Sequence, residues 1–135
     1  METLPFLLFR GEQYAEALAA FTASLPCRPE VWTSQYRRTQ QTAAHLTGPK
    51  VVVPELGEIL AGEHDGMTYE EIAAQFPEEF AQRDADKLRY RYPGGESYVD
   101  VVRRVEPVVK ALRTSPGVMV ISHQATLRYM EHISG

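Results

Sequence analysis

The 135-residue chain holds one cysteine, Cys27, so it contains no internal disulfide and fits a reducing compartment. It has no apolar run of membrane-spanning length. The N-terminal run Phe6 to Phe9 is bounded by Pro5 and Arg10, is too short for a signal-peptide core, and follows no basic residue. Positive charge is not in excess: 14 Lys and Arg against 18 Asp and Glu give a net charge of −4, which argues against a general nucleic-acid binder. There is no Cys or His cluster, no HExxH and no CxxC, so no metal is expected. No glycine-rich nucleotide loop follows a strand, and no cofactor is expected. These absences point to a cytoplasmic protein with neither a membrane nor a nucleic acid as partner. Its 44% apolar and 24% charged residues suit one globular domain over 1–135 with one core.

What is present alternates short β runs with amphipathic helices. Residues 11–24 read as a helix with Tyr14, Leu18, Phe21 and Leu25 at helical spacing, ended by Pro26 and Pro29. Val31 to Ser34 reads as a strand, with Ser34 placed to cap a helix over RRTQQTAAHL. VVVP is the next strand. Thr68 and Glu71 have capping-box spacing at the start of TYEEIAAQF, and Pro77 is expected to break that helix. Ser97 and Asp100 have the same spacing at the start of a long helix, with Val101, Val105, Val108 and Leu112 facing the core and Pro107 expected to bend it. GVMVIS reads as a strand covered on both faces, followed by a last helix. The predicted class is α/β, a mainly parallel sheet flanked by helices. In such sheets ligands bind at the carboxyl ends of strands.

Four stretches at those ends carry possible chemistry. In TSQYRRTQQT, Arg37 and Arg38 stand in the first turn of a helix, where an arginine suits bidentate capture of phosphate; the plainer reading is surface arginines. In VMVISHQ, His123 is presented at a strand end with Gln124 and Arg128 on the adjoining helix, although a lone histidine is more often structural. Glu55 and Glu58 lie in a loop where a carboxyl becomes a proton donor if burial or a phosphate raises its pKa; the alternative is an exposed acidic loop. KLRYRYPGGESY alternates tyrosines with basic residues beside Arg83 and Lys87, which suits sugar or phosphate oxygens or, more blandly, a hairpin-like strand or a solvated charged face. Together they suggest a site for a polyanionic small molecule.

VWTSQYRRTQQTA, GMTYEEI, FPEEFAQRDADKLRYRYPGGESY and RVEPVV resemble the bisphosphatase domain of the 6-phosphofructo-2-kinase/fructose-2,6-bisphosphatase family, histidine phosphatases of the phosphoglycerate-mutase-like fold. The resemblance covers nearly everything after Arg10. It implies a two-step phosphoryl transfer through a phosphohistidine, without metal. It implies that Arg38 clamps phosphate, Glu58 protonates the leaving alcohol and His123 donates to the transferring group. Tyr69, Arg83, Lys87, Tyr98, Gln124 and Arg128 match positions that hold the sugar bisphosphate. Fructose 2,6-bisphosphate or a related sugar phosphate is the implied ligand, and a fused kinase domain belongs to the full-length architecture.

One element of the family pattern has no counterpart. The nucleophile lies in an Arg-His-Gly-Glu motif on the first strand, whereas RGEQYA matches the later helix entry and the first histidine is His45. The expectation is a chain truncated at its N-terminus and at its C-terminus, its first catalytic strand missing or replaced by Phe6 to Phe9. Such a chain would be inactive alone. The alternatives are a non-catalytic sugar-bisphosphate-binding pseudoenzyme and a truncated gene product that folds poorly.

Overall fold

The strand candidates assemble into one sheet in the computed structural model, which describes residues 3–135 and, for side chains, residues 12–135. The chain divides into two units. The first comprises residues 1–57 and 110–124, the second 58–109 and 125–135.

The first unit holds β1 (Glu30–Thr33), β2 (Lys50–Val52) and β3 (Val118–Ile121) in the order β2-β1-β3. Both pairings are parallel, with Trp32 opposite Val51 on one side and Val120 on the other. Parallel neighbours need crossover connections, and the intervening helical segments supply them. Val31 and Thr33 point inward on β1. Val31, Ala43 and Leu46 form a small core, with Leu18, Ala19, Met119 and Ile121 packed on it. α1 (Thr3–Ala23) is longer than the expected 11–24 helix. It includes Phe6 to Phe9, so that run is helical and does not replace a strand. The face of α1 that packs also differs from the expected one. Tyr14 and Phe21 are exposed, while Ala15, Leu18, Ala19 and Thr22 are covered. Those four recur at i, i+3, i+4 and i+7, and three of them are small enough for the helix to lie close. α2 (Arg37–Thr42) is shorter than expected. All four β3 residues are only half-buried, not covered on both faces, because β3 is an edge strand of the described sheet.

The second unit is mainly helical. α3 (Tyr69–Gln75) is capped as expected, with the Thr68 hydroxyl accepting from the Glu71 N–H at 3.1 Å. Pro77 does end that helix, but it also opens α4 (Pro77–Ala85), unforeseen from the sequence. A proline at the first helical position loses no hydrogen bond, because that N–H is an orphan anyway. α5 (Tyr98–Arg113) runs through Pro107 and buries the stripe Val101, Val105, Val108 and Val109. Its start is tied by Asp100, whose carboxylate accepts from the Ser97 N–H at 2.9 Å. α6 is Gln124–Ser134. No strand forms over residues 83–97, so the hairpin-like reading of that stretch fails; a turn closes there instead, with the Gly95 N–H donating to the Tyr92 carbonyl at 2.8 Å. Residues 60–62 lie backbone to backbone against 93–95. A Cβ on Gly62 would fall 2.1 Å from the Pro93 oxygen, and one on Gly95 would fall 2.2 Å from the Leu60 oxygen. Among the described residues no helix is long and apolar enough to cross a membrane.

Candidate active site

In the first unit the chemistry gathers at the carboxyl edge of the sheet. Ser34 follows β1 directly and His123 follows β3 by two residues, so two neighbouring parallel strands deliver both to one edge. The Ser34 hydroxyl lies 2.8 Å from His123 Nε2, and Arg38 Nη2 lies 3.1 Å from His123 Nδ1. A guanidinium only donates, so Nδ1 accepts; Nε2 of the neutral ring then carries the proton and donates to Ser34. Ser34 is fully buried and also meets the Thr39 hydroxyl at 2.9 Å and the Tyr36 N–H at 3.2 Å. It therefore does not cap α2, whose cap position is Tyr36 without a side-chain bond. The Tyr36 ring stands edge-on to His123, with centroids 5.0 Å apart, and the Arg38 guanidinium lies 5.0 Å from its centroid. His123 is buried and Arg38 is exposed. An oriented imidazole beside a solvent-facing guanidinium can receive a phosphoryl group's charge. Gln124, the first residue of α6, is exposed.

In the second unit Glu58 is half-buried at the start of α6. Its carboxylate accepts from the Ile59 N–H at 3.1 Å, the Thr126 hydroxyl at 3.2 Å and the Ala125 N–H at 3.4 Å. The first-turn N–H groups of a helix have no intrahelical partner, so Glu58 caps α6 from a distant part of the sequence.

Arg83 is the buried member of the basic cluster. Its Nε donates to the Tyr92 hydroxyl at 3.0 Å, and its guanidinium lies 4.6 Å from the centroid of the Tyr69 ring. Burial opposes its charge, but the hydroxyls of Tyr92 and Tyr98 and the nearby Tyr69 outweigh burial and hold its pKa above the ordinary value. Burial also pushes the Tyr98 phenol up, so Tyr98 remains a neutral donor. Among the described residues no carboxylate pairs with Arg83. The other cations of the cluster turn to acids: Lys87 to Asp84 at 3.8 Å, Arg89 to Asp86 at 3.4 Å and Arg91 to Asp100 at 2.6 Å. The structure thus brings Tyr69, Arg83 and Tyr98 together and leaves Lys87 on an exposed pair. Arg128 is exposed on α6 and lines a shallow groove with Tyr129 and His132.

The remaining histidines have other partners or positions. His45 Nε2 is 2.6 Å from a Glu12 carboxylate oxygen, and both are exposed. His64 is buried, stacks on Phe76 and lies 3.0 Å from Glu79, though not aligned as a hydrogen bond. His132 is in the last turn of α6. Sequence reasoning placed Ser34 and Tyr36 at the ligand-binding strand end and Tyr92 in the tyrosine-rich loop without giving them a role in the site, and it missed Thr126. A polar Ser immediately after an apolar strand was the available signal for Ser34. It also missed the exposed Glu12, Glu16 and His45 group, whose ligand atoms lie within 4.8 Å of one another.

Residues 5–133 match the family model described as the histidine phosphatase superfamily (branch 1). The chain is 53% identical over 120 residues to the 6-phosphofructo-2-kinase/fructose-2,6-bisphosphatase of Gallus gallus, covering 88% of this chain and 26% of that protein. It is 50% identical over 121 residues to a fructose-2,6-bisphosphatase of Saccharomyces cerevisiae, covering 88% and 27%. The chain spans about a quarter of the length of these relatives. Among solved structures, the α-ribazole phosphatase from Shigella flexneri superposes with a TM-score of 0.78 at 22% identity, over 87% of this chain and 61% of that one. The protein of the open reading frame Rv3214 from Mycobacterium tuberculosis does so with a TM-score of 0.69 at 28% identity, over 88% and 61%. The parallel sheet flanked by helices is the architecture shared with these two structures.

Proposed function

Because the chain belongs to the histidine phosphatase superfamily (branch 1), we propose that it is a fructose-2,6-bisphosphatase-type domain that binds fructose 2,6-bisphosphate or a closely related sugar phosphate. One observation carries the substrate class: Arg83 is buried among phenols with no carboxylate counter-ion among the described residues. The surrounding hydroxyls favour the charged guanidinium but give it no counter-charge, and an incoming phosphate oxyanion supplies one through charge-assisted hydrogen bonds. Arg83, Tyr69 and Tyr98, with Lys87, Gln124 and Arg128, take the non-reacting phosphate and the sugar. In a relative that carries the accepting histidine, the residues corresponding to Arg38 and His123 would take the transferred phosphoryl group and the one corresponding to Glu58 would protonate the leaving alcohol.

The covalent step needs a histidine that accepts phosphorus. His45, His64 and His132 are engaged or placed as described above, and His123 is held at both ring nitrogens. This chain alone therefore binds the bisphosphate and does not turn it over, and a kinase domain accompanies the phosphatase fold in the full-length protein. Calorimetric titration of the purified chain with fructose 2,6-bisphosphate tests the binding. Saturable micromolar binding that Arg83→Ala weakens at least about tenfold is expected, as for loss of a charge-assisted bond. Absence of binding heat, or an unchanged affinity in Arg83→Ala, overturns the assignment.

A further inference from the structure

Glu58 owes its place to a clamp that closes on the backbone around it. Arg104, on α5, donates to both oxygens of Glu96: Nε to Oε2 at 3.0 Å and Nη2 to Oε1 at 3.1 Å. The same Nη2 also donates to the Glu58 carbonyl oxygen at 3.2 Å. Glu96 in turn accepts from the Leu60 N–H at 3.0 Å, and its own N–H donates to the Leu60 carbonyl at 2.7 Å. Glu58 is thus tethered at its own carbonyl, and Leu60 is tethered at both of its peptide groups. The Gly62 and Gly95 backbones, too close for any Cβ, fix the loop one turn further on. The Arg104 and Glu96 side chains are 21% and 17% exposed, so solvent competes little for this pair.

We propose that Arg104, acting through Glu96, is a positioning residue for the Glu58 carboxyl; this rests on the reading of Glu58 as the proton donor. A loop side chain is a poor holder of a reacting group unless a rigid element pins it, and a displacement of about 1 Å can cost about 100-fold in rate. Here the 16-residue α5 supplies the rigidity. A planar guanidinium serves two acceptors on one side and a carbonyl on the other, a fork that a lysine ammonium cannot reproduce. A partly buried ion pair is by itself weak evidence of stabilisation, and an apolar pair of similar volume often serves stability equally well. The clamp's distinctive consequence is local: it sets where the Glu58 carboxylate meets the Ala125 N–H and the Thr126 hydroxyl.

Amide hydrogen exchange followed by NMR on the whole chain reads that contact, because the first-turn Ala125 N–H has the Glu58 carboxylate as its acceptor. Arg104→Met, Arg104→Lys and Glu96→Gln are compared with the parent. In Arg104→Met, exchange at Leu60 and Ala125 accelerates at least about tenfold beyond any change at the β1 and α5 amides, as for a local opening. Arg104→Lys keeps the charge and gives a smaller acceleration at the same two sites. Glu96→Gln keeps an acceptor for Leu60 and so releases Ala125 more than Leu60. If Arg104→Met does not fold, Arg104→Lys and Glu96→Gln decide the matter. Unchanged exchange at Ala125, or acceleration shared evenly by all amides, overturns the proposal. The exchange reports where Glu58 sits whether or not it donates a proton, and the bisphosphate titration tests the substrate reading separately.

Discussion

Replacing Gly62 by alanine tests the backbone docking that holds the Glu58 loop, with Gly66→Ala as an internal control. Both glycines have positive φ, 57° at Gly62 and 81° at Gly66. An alanine at either position costs about 1–2 kcal/mol of left-handed strain. The surroundings differ. At Gly66 nothing lies within 4 Å of the added Cβ. At Gly62 the Cβ falls 2.1 Å from the Pro93 oxygen, 2.6 Å from the Gly94 carbonyl carbon and 2.7 Å from the Gly95 nitrogen. These are backbone atoms, which cannot swing aside as a side chain can. Separating the two loops also strains the bonds from Glu63 N–H to Pro93 and from Glu96 N–H to Leu60, at 2.9 and 2.7 Å. Overpacking of this kind adds about 1–3 kcal/mol. Gly62→Ala is therefore expected to destabilise by about 2–5 kcal/mol and Gly66→Ala by about 1–2 kcal/mol. Urea unfolding followed by circular dichroism measures both, with the difference read from the midpoints at constant slope. Equal losses in the two variants would refute the argument that the 60–62 and 93–95 backbones are in direct contact.

Ser34→Ala removes the acceptor for His123 Nε2 and is expected to destabilise by about 1–3 kcal/mol, the cost of a buried unpaired donor, checked by thermal unfolding. Tyr92→Phe deletes the hydroxyl that accepts from the buried Arg83 and is expected both to destabilise by about 1–3 kcal/mol and to weaken bisphosphate binding several-fold; urea unfolding and calorimetry report the two. Asp100 is held below the ordinary carboxylate pKa, first by the Ser97 N–H and with help from Arg91. A depressed carboxyl stabilises the fold above its unfolded pKa and loses that contribution as pH falls through its folded value. The stability difference between the parent and Asp100→Asn should therefore be constant near neutrality and shrink as pH drops below the ordinary value of 3.8. A difference that persists undiminished into stronger acid contradicts the linkage.

Much of this was legible because it was local. Thr68 with Glu71 and Ser97 with Asp100 named two helix starts, and the caps formed there. The run VMVIS announced a strand delivering His123, and the parallel class followed from alternation of strands and helices. What failed depended on neighbours. Pro77 carries the same stop signal whether a helix ends before it or starts at it, and here both happen. Tyr14 and Phe21 are the larger apolar residues of α1, yet the surface they would cover is taken by Ala15, Ala19 and Thr22. The half-burial of β3 reflects its edge position, which no property of four apolar residues encodes. Among the residues that the resemblance singled out, Arg38 meets His123, and Arg83 meets Tyr69 and Tyr98. Lys87 lies 3.8 Å from Asp84, three residues back in the chain, in an exposed pair.

The account stands most directly on the phosphorus NMR spectrum of fructose 2,6-bisphosphate mixed with the purified chain. The expected result is a shift or broadening of the bisphosphate resonances that saturates with protein and is lost in Arg83→Ala, with both phosphates still esterified after prolonged incubation. Unperturbed resonances would remove the binding site, and growth of an inorganic phosphate signal with a phosphohistidine intermediate would show that one of the four histidines serves as the acceptor after all.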